Sequence, residues 1–236
     1  VKELWGRENL VFENPRPEPE LATNEIDAVD FFLERLDRAK PPFAAVYYSY
    51  VPHSPYVDPG REFRILPHSN AQNRYYNGLS LLDAQIDRIV KAVHEKTGAE
   101  DTLIVIVGDH GEAFGQHQAN YVHAQHSFME NIRTPALFLH PSLSGMSPPS
   151  QYSSHVDILP TVLDIMRVPY EPRLLQGQSL LTPFERDYIY VFGNENALTS
   201  LSALGRKVTA SFKTGEATAY DLVEDPKEKK PERNLP

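Results

Sequence analysis

The chain of 236 residues is 41% hydrophobic and 23% charged, which fits one large globular domain, or a domain with a small appendage, and is ample for a core. Its formal net charge of -9, with no basic cluster to offset it, excludes a nucleic-acid partner and requires a local positive charge, most simply a metal, at any site for an anionic substrate. With no cysteine there are no disulfides, thiolate zinc sites or cysteine nucleophile in these residues, and the longest aliphatic run falls far short of the ~18 residues of a membrane helix.

Residues 1–24 hold Pro15, Pro17 and Pro19 among charges and are expected to form a loop. Val1 and Lys2 open the sequence without a leader pattern, as in a piece of something longer. Ile26, Val29, Phe32, Leu33 and Leu36 then recur at helical spacing until Lys40-Pro41-Pro42 stops them. Phe43–Tyr50 (FAAVYYSY) reads as a buried strand, ending in Pro52-His53-Ser54-Pro55-Tyr56. Tyr75, Leu79, Leu82, Ile86, Ile89, Val90 and Val93 mark a second amphipathic helix, which Gly98 closes. Leu103–Val107 is an unbroken branched apolar run expected as a strand buried on both faces. A short helical turn around Met129, a strand Ala136–Leu139 and a helix over Val156–Met166 follow. From Arg186 the texture changes to short alternating strands, Tyr188–Phe192, Leu198–Leu204, Lys207–Phe212 and Ala217–Asp221, separated by glycines.

Chemistry concentrates where the apolar run Leu103–Val107 ends, in Gly108-Asp109-His110-Gly111-Glu112. Open α/β sheets bind ligands at the carboxyl ends of their strands. A carboxylate and an imidazole side by side there, between two glycines, make a plausible half of a divalent-metal site. A lone Asp-His pair nevertheless more often caps a turn than binds an ion. His53, held between two prolines just beyond a strand, is by itself equally an ordinary loop residue or a functional one. The loop Gln116–His126 carries three histidines, His117, His123 and His126, and reads either as a polar surface loop or as a site where one or two of them stabilise an oxyanion.

These segments together resemble the sulfatase and alkaline-phosphatase superfamily, which includes phosphoethanolamine transferases and lipoteichoic acid synthases. GDHGE after a hydrophobic strand resembles its signature, Pro52–Tyr56 its PHxPY segment, Asp157–Thr161 its DxxPT helix, and AYDLVEDPKEKKPERNL the sulfatase close LYDLxxDPxExxNL. The resemblance implies that Asp109 and His110 are metal ligands, that His53 points at the charged group of the substrate, and that His123 first, or His126 second, is the active-site histidine of the loop. Glu112 is expected behind the ligands, and His117 and His140 on the surface. The fold implied is α/β, a mainly parallel central sheet flanked by helices, with residues 1–185 as the C-terminal part of the core and 186–236 as a small antiparallel subdomain.

Neither the acidic strand nor the nucleophile that open such domains is recognisable in this sequence. The expected function is therefore that of a metal-dependent hydrolase of sulfate or phosphate esters, represented by a part without its nucleophile and inactive alone. Its implied partners are the ester substrate, a divalent ion (Ca, Mn or Zn) and the missing N-terminal half of the same domain. The parent protein is expected outside the cytoplasm, secreted or membrane-associated. Two alternatives stand beside this: a phosphoethanolamine or glycerophosphate transferase of the same superfamily, against which the sulfatase-like close argues, and a non-catalytic domain that keeps the fold. A non-catalytic domain would be expected to lose ligands that Asp109 and His110 retain.

Overall fold

A computed structural model describes residues 25–123, 126–146, 152–183, 186–193 and 197–233. The loop expected over residues 1–24, and Asn234 and Leu235 of the closing motif, lie outside them. The chain divides into two compact units, Val1–Thr102 and Leu103–Pro236.

The first unit is built on two helices, α1 (Glu25–Arg38) and α2 (Ala71–Thr97), at the positions the apolar spacing predicts. Asn70 caps α2 by accepting from the Asn73 amide, and Gly98 ends it at φ 79°, a conformation that suits a residue without Cβ. An Arg88–Asp30 ion pair and a Lys96 Nζ bond to the Asp37 carbonyl at 2.6 Å tie the two helices together. Buried Val51 and Leu81 pack with Val57, Phe63 and Leu82. Pro52 sits so close to α2 that a Cβ on Gly78 would lie 2.7 Å from its own Cβ, so glycine is needed there. Asn77, fully buried, accepts from the Leu66 amide at 2.9 Å and donates back to the Leu66 carbonyl at 3.0 Å.

The strand expected at Phe43–Tyr50 is not formed. The segment carries no ladder among the described residues, and Val46 is 90% exposed. Half-buried Tyr47 and Ser49 alternate with exposed Val46, Tyr48 and Tyr50, which is the period of a strand. Periodicity can be read from one segment, but a strand exists only through its hydrogen-bonded neighbour.

In the second unit β1 (Ile104–Val107) pairs antiparallel with β2 (Ala136–Leu139), Ile104 opposite Leu139 and Val107 opposite Ala136. No parallel pairing occurs among the described residues, and β1 is half-buried with Val107 exposed, not covered on both faces as its sequence predicts. A two-stranded ladder has two edges and leaves its faces uncovered. The C-terminal strands appear as expected: β3 (Tyr188–Gly193), β4 (Ala197–Ser202), β5 (Arg206–Ser211) and β6 (Ala217–Asp221) form an antiparallel meander, joined by β7 (Glu232–Arg233), which the sequence reading missed. Gly205 at φ 84° and Gly215 at φ 72° supply the turns. Leu201, Tyr220 and Leu222 form the core of this sheet, with Phe128, Met129 and Ile189 against it.

Helix α4 (Ile158–Ile165) is held at its start by Asp157, which is fully buried. Its carboxylate takes both guanidinium nitrogens of Arg186 and the amides of Ser154 at 2.8 Å and Gln178 at 3.0 Å. Burial favours the neutral acid, but the Arg186 bonds and the two amides outweigh it and hold the carboxyl below its ordinary range. Because its folded pKa lies below the unfolded one, the stability it contributes is present at neutral pH and is lost as pH falls through the folded value. Asp157→Ala strands a partly buried guanidinium and is expected to cost about 3–5 kcal/mol in urea unfolding at pH 7. The gap between mutant and parent should close in acid. A gap that stays constant down to pH 3 would contradict this account.

Candidate functional site

After Val107 the chain leaves the ladder, and the Asp109 Oδ1 accepts from the following amide, that of His110, at 2.9 Å. The His110 Nδ1 lies 2.8 Å from the Gly111 carbonyl, an acceptor only, so Nδ1 carries the proton and Nε2 presents its lone pair. That Nε2 is 3.6 Å from Asp109 Oδ1, a bite that suits one ion held at about 2.0–2.2 Å from each. An oxygen and an imidazole nitrogen fit Zn²⁺ or Mn²⁺ sites as two of the ligands, and suit Ca²⁺, which takes oxygen ligands, less well. No group of three or more His, Asp or Glu able to hold a metal occurs among the described residues.

His123 comes to the same place. Its ring stacks on His110 with centroids 3.8 Å apart and planes 22° from parallel. Its Nδ1 faces Glu112 Oε2 at 3.4 Å, and the Glu112 side chain is almost wholly buried. Glu112 thus lies behind His123, oriented in turn by the Ala113 amide at 3.3 Å.

What joins the two histidines is a four-residue helix, α3 (Met129–Ile132). Asn131, 3% exposed, accepts the Gly111 amide on its carbonyl at 2.8 Å and donates through Nδ2 to the Val122 carbonyl at 2.9 Å. One residue therefore binds the neighbour of His110 and the neighbour of His123. Asn120, with no exposed surface, locks it from the other side: its Nδ2 donates to Asn131 Oδ1 at 2.7 Å and to Glu130 Oε1 at 2.9 Å. Neither asparagine was picked out by the sequence reading. Two asparagines eleven residues apart flanking a histidine loop were the only available signal, and asparagine is common in loops.

His117 is a correction. It was expected on the surface, yet its side chain is 11% exposed. The ring stacks on Phe128 at 3.7 Å, Nδ1 meets Glu130 Oε1 at 2.6 Å, and Nε2 meets the Glu228 carbonyl at 3.2 Å. These contacts hold the Glu130 carboxyl below its ordinary range: burial opposes the charge, but the His117 and Asn120 bonds outweigh it. His126 is exposed and tilts against Phe128 at 5.6 Å. His140, also expected on the surface, is half-buried and accepts from the Ser142 amide at 3.1 Å. His155 donates from Nε2 to the Gly108 carbonyl at 2.8 Å and so steadies the strand end. His53 belongs to the first unit. It is exposed in a turn, with its amide on the Tyr50 carbonyl at 2.9 Å, its Nδ1 on the Ser54 carbonyl at 2.6 Å and its ring 4.7 Å from that of Tyr50.

Similarity to known proteins follows the same segments. An arylsulfatase of Clostridium perfringens is 27% identical over 278 residues, covering 97% of this chain and 55% of its own length. Arylsulfatase K of Canis lupus familiaris is 31% identical over 132 residues, 56% of this chain and 23% of its own. The chain thus spans about half of the bacterial relative and about a quarter of the canine one. Among solved structures, a 2-O GAG sulfatase superposes with a TM-score of 0.66 at 17% identity, over 92% of this chain and 61% of that one. That likeness carries the fold, the α/β class of the alkaline-phosphatase-like sulfatases. The sulfatase family profile matches residues 7–168, a stretch that includes both the Pro52–Tyr56 turn and the Asp109-His110 strand end. With well over half its length in that match, this chain belongs to the sulfatase family.

Proposed function

We propose that this chain is the C-terminal part of a metal-dependent sulfatase domain, which supplies two ligands to a divalent ion and a histidine that serves the leaving group of a sulfate ester. The single observation that carries the reading is the cluster of Asp109, His110 and His123: a 3.6 Å bite at a strand end with a second imidazole stacked on it. When bound, the ion supplies positive charge that offsets the non-bridging oxygens of the ester. Asp109 and His110 hold it. His123, oriented by Glu112, gives a proton to the leaving oxygen, and His126 is the alternative for that role. His53 steadies the charged group of the substrate.

The partial span of the relatives supports placing the nucleophile and the remaining ligands on residues outside these 236. So does the half-exposed β1–β2 ladder, whose apolar faces suit a larger sheet. In that reading residues 1–185 belong to the core and 186–236 are its small subdomain, and the whole protein works outside the cytoplasm. No helix of the described residues is long and apolar enough to cross a membrane.

Calorimetric titration of this chain with Mn²⁺, Ca²⁺ and Zn²⁺ should show weak binding only, since two ligands fall short of the usual three or four. The chain alone should leave 4-nitrophenyl sulfate and 4-nitrophenyl phosphate intact. The full-length protein should turn over the sulfate ester, and a chelator should stop it. Brisk hydrolysis by the isolated chain would sink the proposal.

A further inference from the structure

The C-terminal sheet reaches into the histidine loop through one buried charge pair. Lys207, on β5 and 1% exposed, bonds Glu228 and the Ser127 carbonyl, with its ammonium 5.7 Å from the Phe128 ring and 6.0 Å from that of Tyr220. Glu228 is 2% exposed and uses every polar group it has in reach of α3: one carboxylate oxygen takes Lys207, the other takes the first amide of α3, Met129, at 2.7 Å, and its carbonyl takes His117. It does so at φ 53°, a backbone region that residues with a Cβ rarely occupy. A buried lysine, a strained glutamate and a histidine clamped between two acceptors are an expensive way to anchor a surface sheet. Glu228 and His117 bond α3 directly, and Lys207 bonds Glu228 and the Ser127 carbonyl just before it; α3 is the element that joins the neighbours of His110 and His123.

We propose that Glu228, Lys207 and His117 are positioning residues: through α3, the C-terminal sheet sets the spacing of the His110–His123 pair. The inference rests on the catalytic reading of that pair for its consequence in turnover, but its structural content stands apart from it. The contacts act on successive residues of α3. Glu228 caps its first amide, His117 holds Glu130 in its first turn, and Asn131 then carries the position to Gly111 and Val122. The Lys229 Nζ bond to the Gln116 carbonyl adds a second tether from the same turn to the start of the loop.

The test uses the full-length protein with 15N-labelled histidine and 4-nitrophenyl sulfate as substrate. The double variant Lys207→Met with Glu228→Leu removes both buried charges together, which spares the fold the cost of an unpaired ion. His117→Phe keeps the stacking on Phe128 and removes both ring hydrogen bonds, so it reads the same device should the double variant not fold. Arg206→Ala, which breaks the exposed pair with Glu232 on the same sheet, is the control. In the first two variants kcat should fall roughly tenfold to a hundredfold, as a displacement of about 1 Å at a reacting group does. KM should change by less than about twofold. The ring resonances of His110 and His123 should shift together, and the control should leave all three readouts unchanged. Folded variants whose His110 and His123 resonances match the parent would overturn the proposal. If the parent protein shows no turnover, the functional reading falls and the histidine resonances alone decide this one.

Discussion

Replacing Asp109 by Asn in the full-length protein is expected to abolish both tight metal binding and sulfate-ester turnover. The change is nearly isosteric, so the strand end should keep its shape: the amide oxygen can still accept from the His110 N–H that Oδ1 now takes at 2.9 Å. On the proposed reading, what is lost is a full negative charge beside the ion, where among the described residues His110 is the one other proposed ligand. Affinity should drop by orders of magnitude and kcat to background, while thermal unfolding without metal should stay within about 1 kcal/mol of the parent, as for an exposed substitution. Equilibrium dialysis with Mn²⁺ and initial rates on 4-nitrophenyl sulfate are the measurements. Parent-like activity in Asp109→Asn would remove the residue on which the assignment stands.

Gly111→Ala is expected to damage stability and turnover together. A Cβ at this position would lie 2.2 Å from the Glu130 carbonyl oxygen and 3.1 Å from that of Arg133. Both obstacles are backbone, so no side chain can swing away, and either the Asp109–Glu112 turn or α3 has to move. Movement breaks the 2.8 Å bond from the Gly111 amide to the Asn131 carbonyl, and with it the link that sets His110 against His123. Overpacking of this kind costs about 1–3 kcal/mol of stability. The effect on kcat should be larger in proportion, roughly a hundredfold, because the turn carries the proposed ligands and α3 bonds the Val122 carbonyl beside the proposed acid, His123. Differential scanning calorimetry and steady-state kinetics on the same preparation separate the two effects. A variant with parent-like kcat would show that the turn and α3 need no fixed spacing.

The elements of this protein were legible where one segment carries its own instruction. Helical spacing located α1 and α2, Gly98 ended α2, and glycine-punctuated alternation gave the strands of the C-terminal sheet. Asp109 and His110 were legible for a similar reason: a sharp change from branched apolar to charged residues marks a strand end within a few positions. The pairing of strands was not, because apolar runs such as Leu103–Val107 state that a face wants covering but not which neighbour covers it, or in which direction. Hence the antiparallel β1–β2 ladder and the unpaired Phe43–Tyr50.

Among nine histidines, residue type alone could not separate roles. His117 and His123 lie six positions apart in one polar loop, yet one is clamped between Glu130 and the Glu228 carbonyl and the other is stacked on His110. The sequence by itself determined the helices, the C-terminal strands and the strand end at which Asp109 and His110 sit. Only the tertiary structure decided which histidine meets His110, since that depends on hydrogen bonds from Asn131, Glu130 and Glu228. Those bonds span up to 111 residues, and no local pattern records a contact at that separation.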